Sequence, residues 1–194
     1  MTIKEDLEVI TINPFWREIH QRQKESGWCA AASIYLILKY AQKLSENKGK
    51  NVKLPTEEEI YKAVNIDWFG STNGISVAYL SRFFSDMGQK TNASFDDLFD
   101  HLKKENIIIV DWTDDSPPPP PEGHYCILAG YDKNKNMLTF VDTSRDGRDI
   151  WECSASEFDK KWFDHEGMQE QNDLKVNRWF MWINPKSLNP DVLS

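Results

Sequence analysis

Residues 28–44 form an apolar run long enough for a helix: Trp-Cys-Ala-Ala-Ala-Ser-Ile-Tyr-Leu-Ile-Leu-Lys-Tyr-Ala-Gln-Lys-Leu. Ala30, Ala31, Ile34, Leu36, Ile37, Leu38 and Ala41 leave it little polar face, and a helix apolar on most sides is buried. The three alanines let other backbone approach closely. The chain must therefore pack around a central helix, with Ser26-Gly27 as the break before it. One cysteine, Cys29, stands at its start. The first turn of a helix carries unpaired N–H groups and about half a positive charge. That field favours a thiolate, the nucleophilic form of the side chain. An amide, Gln23, lies six residues upstream. An inert cysteine in a core helix fits this stretch equally well, so the rest of the chain has to discriminate.

A length of 194 residues suits one domain over 1–194, with a core from about 20 to 184 and a loose tail from 185 to 194. The 8 Trp, 6 Tyr and 10 Phe supply a sizeable core. A net charge of −8 argues against nucleic acid or an anionic membrane surface as partner. The N-terminus shows no signal-peptide pattern, and no apolar stretch reaches the roughly 18 residues of a membrane span. Cys29, Cys126 and Cys153 are too few, and odd in number, for a disulfide framework. The expected setting is reducing and cytoplasmic.

Along the chain, residues 1–22 read as a polar arm pinned by Phe15 and Trp16, with His20 on the surface. Thr56 and Glu59 form a capping box that opens a short helix to about Val64. A helix is expected from Ser76 to Met87 with Gly88 just past its end, and another from a Ser94 cap to Lys104. Strands follow: Ile107–Trp112, His124–Tyr131, Met137–Asp142, Arg148–Glu152 and Arg178–Ile183. A short helix bears Phe158 and Trp162, and 164–173 reads as an acidic loop. Helices first and strands after predict an α+β fold, a helical half packed on an antiparallel sheet. Pro117–Pro121 is stiff polyproline, either a rigid spacer or a docking site for an aromatic-lined partner. Trp68, Phe69 and Trp112 are candidate pocket walls.

A cysteine nucleophile needs a base in hydrogen-bond reach, and the base needs an orienting group. The second and third strands, joined by turn-rich Asp132–Asn136, form a hairpin that supplies both. His124 lies nine residues before Lys133 and Asp142 nine after, so a turn centred on Lys133 sets them face to face. A one-residue slip would move Asp142 to the other face. Alternation puts Cys126 beside His124. Cys29, His124, Cys126 and Asp142 as a zinc site is the rival arrangement, but their spacing matches no common closed pattern. Cys126 suits a small apolar core position. Gly27 and Trp28, next to Cys29, and Gly123, which leaves room for a substrate backbone, are candidate substrate-binding positions.

Gln23-x5-Cys29, Gly123-His-Tyr-Cys-Ile-Leu-Ala-Gly-Tyr-Asp132 and Phe140-Val-Asp142 together resemble the papain-like cysteine peptidases. The likeness is to their bacteriocin-processing (double-glycine leader) branch, as a stand-alone member, and covers about residues 20–165. It implies a papain-like fold with Cys29 as nucleophile, His124 as base then acid, Asp142 as orienter and Gln23 as oxyanion donor. The activity implied is cleavage of a peptide or protein substrate with no cofactor and no metal. Transpeptidases, cyclases and amide transferases use the same triad, and relatives that bind peptide without cutting keep the same fold.

Overall fold

The structure, a computed structural model, describes residues 8–46, 53–67, 70–71, 73–113, 123–144, 149–166 and 174–189. Pro117–Pro121, Trp68 and Phe69 lie outside them. The helices are α1 (Phe15–Ile19), α2 (Cys29–Glu46), α3 (Glu57–Val64), α4 (Asn73–Leu80), α5 (Phe95–Lys103) and α6 (Ala155–Asp159). The strands are β1 (Val9–Ile10), β2 (Asn65–Asp67), β3 (Gly70–Ser71), β4 (Met87–Lys90), β5 (Ile107–Thr113) and β6 (Gly123–Asp132). They continue as β7 (Met137–Val141), β8 (Ile150–Ser154), β9 (Phe163–Glu166), β10 (Leu174–Asn177) and β11 (Phe180–Ile183).

Local chemistry sets the helix starts. Thr56 Oγ1 accepts from the Glu59 N–H at 3.2 Å, and Glu59 Oε2 accepts from the Thr56 N–H at 2.7 Å, so two otherwise orphaned donors are satisfied. Ser94 and Asp97 repeat the device at α5. Before α2, Gly27 turns the chain with φ of +75°, in the left-handed region that favours glycine. The carbonyl of Trp28 accepts the first helical bond, from Ala32, which makes Cys29 the first residue of the helix.

The main sheet is antiparallel, in the order β4-β11-β5-β6-β7-β8, with β1 also paired to β6. Along β6, side chains alternate between two cores. Tyr125, Ile127 and Ala129 face α1–α4, where Ala30, Ala31, Ile34 and Ile37 of α2 are fully or nearly fully buried. Cys126 and Leu128 face the opposite side, which Leu98, Phe99 and Leu102 of α5 and Phe158 of α6 cover. The helical half packed on an antiparallel sheet is as expected, with α5 and α6 adding a third layer on the far face. Trp16 stacks on Tyr40 of α2 at 4.5 Å and holds the N-terminal arm.

Three local expectations give way. Gly88 does not end a helix: α4 stops at Leu80, and Gly88 lies within β4 opposite Trp182. A Cβ at Gly88 would come within 2.3 Å of the Trp182 ring. The loop expected over 164–173 begins as strand: residues 164–166 belong to β9, which pairs with β10 beyond it. Residues 185–189, expected within a loose tail, are bound in: Pro185 is buried, Leu188 bridges Phe84, and the Asn189 N–H donates to Phe83 O at 2.8 Å.

Candidate active site

The hairpin brings His124 and Asp142 together by a route the residue count did not show. Tyr131 pairs with Leu138 and Asp132 with Met137, which centres the turn between Asn134 and Lys135, not on Lys133. Carried along β6 unbroken, that register would set Asp142 opposite Ile127, on the wrong face. A bulge between Leu128 and Gly130 takes up one residue, Ala129, so that Leu128 pairs with Phe140 and Ile127 with Val141. Asp142 then follows on the face of Cys126 and His124, diagonal to the histidine and not directly across from it. Side chains bridge such diagonals readily. His124 Nε2 and Asp142 Oδ1 are 2.8 Å apart.

Asp142 is 2% exposed. Its carboxylate also accepts from the Ser144 N–H at 2.8 Å and from Trp151 Nε1 at 3.3 Å. Burial alone would raise its pKa; the hydrogen bond and charge of His124, with the Ser144 amide, bring it below the usual carboxylate value. Trp112 is 4% exposed and packs edge-on to His124 at 6.1 Å. It shields the dyad from water and does not wall an open pocket.

Cys29 stands on the helical side, at the first turn of α2. Ser33, one turn further along α2 on the same face, donates to Tyr125 O at 3.4 Å and seats the helix start against the start of β6. The half-buried Cys29 thiol is near enough to favour the His124 cation, behind Cys126 and Asp142. Burial disfavours the imidazolium, yet the ring's pKa is held well above the usual histidine value. A thiolate at Cys126 would favour the cation, but burial pushes the Cys126 thiol up to about 12. Cys126 is thus protonated at neutral pH, and the support for the imidazolium falls to Asp142, with Cys29 as a further partner. Cys153, on β8, is also pushed up by burial, to about 11.

Donor atoms of His124, Cys126 and Asp142 all lie within 4.8 Å of one another. The 2.8 Å separation of His124 and Asp142 is that of a hydrogen bond. Two ligands of a tetrahedral zinc would stand about 3.4 Å apart, so zinc would have to break that bond to bind.

Gln23 lies on a strap, residues 20–24, beside the dyad. Its N–H donates to Thr143 O at 2.7 Å and its Nε2 to Glu25 O at 3.0 Å; a side-chain amide has two N–H groups, and Glu25 takes one. Trp28 is half-buried and stacks on Tyr61 of α3 at 4.1 Å. The room expected over Gly123 is already filled: a Cβ there would lie 2.1 Å from Asp164 Oδ2.

Two features escaped sequence reasoning. His20, expected on the surface without a partner, donates from Nε2 to the main-chain oxygen of Asp142 at 2.7 Å. Asp111, 3% exposed on β5, lies close to Asp164 and to Asn73, whose Oδ1 accepts from the Tyr125 hydroxyl at 2.5 Å. Burial, then the charges of Asp164 and Cys29, push the Asp111 carboxyl well above its ordinary value. An aspartate inside an otherwise apolar strand, Ile-Ile-Ile-Val-Asp-Trp, was the available signal.

The fold is that of the papain-like bacteriocin-processing peptidase domains. The peptidase domain of Streptococcus ComA, a bi-functional ABC transporter involved in a quorum sensing pathway, superposes with a TM-score of 0.52 at 13% identity, over 84% of this chain and 96% of that one. A double glycine motif protease from an AMS/PCAT transporter, solved in complex with the leader peptide, superposes with a TM-score of 0.50 at 16% identity, over 84% and 89%. The sequence profile of the Peptidase_C39 like family matches residues 17–169, and the chain belongs to that family. The match spans Gln23, Cys29, His124 and Asp142. No curated protein matches the chain. Among the described residues, no helix is long and apolar enough to cross a membrane.

Proposed function

We propose that the chain is a cysteine peptidase that cleaves a peptide bond through an acyl-enzyme on Cys29. The observation that carries this reading is the placement of His124, hydrogen-bonded to the buried Asp142 carboxylate, with the half-buried Cys29 thiol at the tip of a buried helix among the groups that favour its cation. Cys29 attacks the substrate carbonyl as a thiolate paired with the protonated His124, which then delivers its proton to the leaving amine. Water, deprotonated by the same ring, releases the acyl group as a carboxylic acid. Asp142 stays ionised and holds the imidazole in register. The backbone N–H of Cys29 and the Gln23 amide serve the developing oxyanion, a role worth about 3 kcal/mol per donor. The likeness to a protease solved with its leader peptide favours a peptide substrate. Three free cysteines suit a reducing compartment such as the cytoplasm.

Mapped alkylation by iodoacetamide at pH 6, followed by turnover of a peptide library, tests the reading. Cys29 is expected to react first among the three cysteines, and His124→Ala to abolish that preference. Cys29→Ala is expected to remain folded and inactive; turnover that survives it refutes the scheme. Product masses separate hydrolysis from transfer to an amine, and binding without turnover would identify a peptide-binding module of the same fold.

A further inference from the structure

We propose that His20 is a positioning residue for this site, an inference that rests on the function proposed above. Asp142 lies one residue beyond the last ladder pair of β7, where Val141 pairs with Ile127 and Ile150. Its N–H donates to Asp149 O at 3.0 Å, but its carbonyl has no ladder partner among the described residues. His20 supplies one. A carbonyl oxygen only accepts, so His20 Nε2 carries a proton and donates it at 2.7 Å. Next to this bond the Gln23 N–H donates to Thr143 O, also at 2.7 Å. Two short bonds thus fasten residues 142 and 143 to the strap.

The strap is itself anchored on its other edge. Glu57, 2% exposed at the start of α3, accepts from the Lys24 N–H at 2.9 Å and from Gln21 Nε2 at 3.1 Å. Lys39 Nζ of α2 donates to Ile19 O at 2.9 Å. His20 therefore ties the backbone of Asp142 to a segment that α2 and α3 hold in place. Asp142 in turn holds His124, which the proposed function makes the base for Cys29. Only the last two touch the reacting atoms; His20 acts through Asp142.

The test is the second-order rate of Cys29 alkylation by iodoacetamide at pH 6 in the full chain, with thermal unfolding measured alongside. His20→Ala is expected to slow it about tenfold, the equivalent of one ordinary hydrogen bond. His20→Gln, whose side-chain N–H can still donate to the Asp142 carbonyl, is expected to recover most of the rate. His20→Met, which fills the space without a donor, replaces His20→Ala if that variant does not fold. A wild-type rate in His20→Ala or His20→Met overturns the proposal, whatever happens to the melting temperature. Equal slowing in His20→Gln overturns it as well. Failure of the underlying reading looks different: Cys29 of the unmodified protein would then react no faster than Cys126 and Cys153, and His124→Ala would leave its rate unchanged.

Discussion

Replacing Asp111 by asparagine should stabilise the protein increasingly as pH rises. Asp111 is 3% exposed, and its Oδ1 has no hydrogen-bond partner among the described residues. Burial, and then the charge of Asp164, raise its carboxyl well above the ordinary value. The unfolded chain releases the same proton near pH 3.9. Below that pH both states hold the proton and the group has no effect on the balance. Above it the unfolded state alone loses the proton, and stability drains away until the pH passes the folded-state value. One proton of difference sets the slope at about 1.4 kcal/mol per pH unit. Asparagine keeps the shape, does not titrate, and offers an N–H toward Asp164. Every other titrating group is common to both proteins and largely cancels in the difference. The melting temperature of Asp111→Asn relative to the parent should therefore climb from about pH 4 upward. For a chain of this size the climb is about 2–4 °C for each kcal/mol. Circular dichroism melts from pH 4 to pH 8 give the curve. A gap that is constant with pH, or one that narrows, would refute the account of Asp111 as a protonated acid in the folded state.

Two further substitutions probe the same region. Gly123→Ala places a methyl 2.1 Å from the Asp164 carboxylate and should lower stability in urea by about 1–3 kcal/mol; adding Asp164→Ala should restore most of the loss, and no recovery would place the clash elsewhere. Asp142→Asn removes the carboxylate that favours the imidazolium, so the His124 titration followed by NMR should move to lower pH; an unmoved midpoint would mean that another group supports the cation.

Much of this molecule could be read from the chain because its strongest signals are local. The apolar run after Cys29, the Thr56 capping box and the turn-rich link between His124 and Asp142 each involve neighbours in sequence. Features made between distant segments were not readable. Gly88 read as a helix end because glycine serves both there and where an indole must lie flat on a strand, and Trp182 is 94 positions away. The pairing of β9 with β10 was hidden by a polar, Gln-rich composition that resembles a loop. His20 read as surface because its partner is a main-chain oxygen, which no side-chain pattern advertises. Gly123 was assigned to substrate, whereas the space it leaves goes to Asp164 from a strand 41 residues on. The juxtaposition of His124 and Asp142 was anticipated from a symmetric count that was wrong in two places, at the turn and at Ala129.

That bulge has a bearing on how such chains are aligned. Because Ala129 is the unpaired residue, a chain lacking it would keep Ile127 against Val141 and Leu128 against Phe140 and would simply straighten β6. A residue lost from β7 has no such slack to draw on, and its loss would swing Asp142 away from the histidine. The number of residues between a histidine and its aspartate is thus free to vary by one at Ala129 without consequence for the dyad. A gap opened there, and not in the turn or in β7, is the one that keeps equivalent atoms in equivalent places.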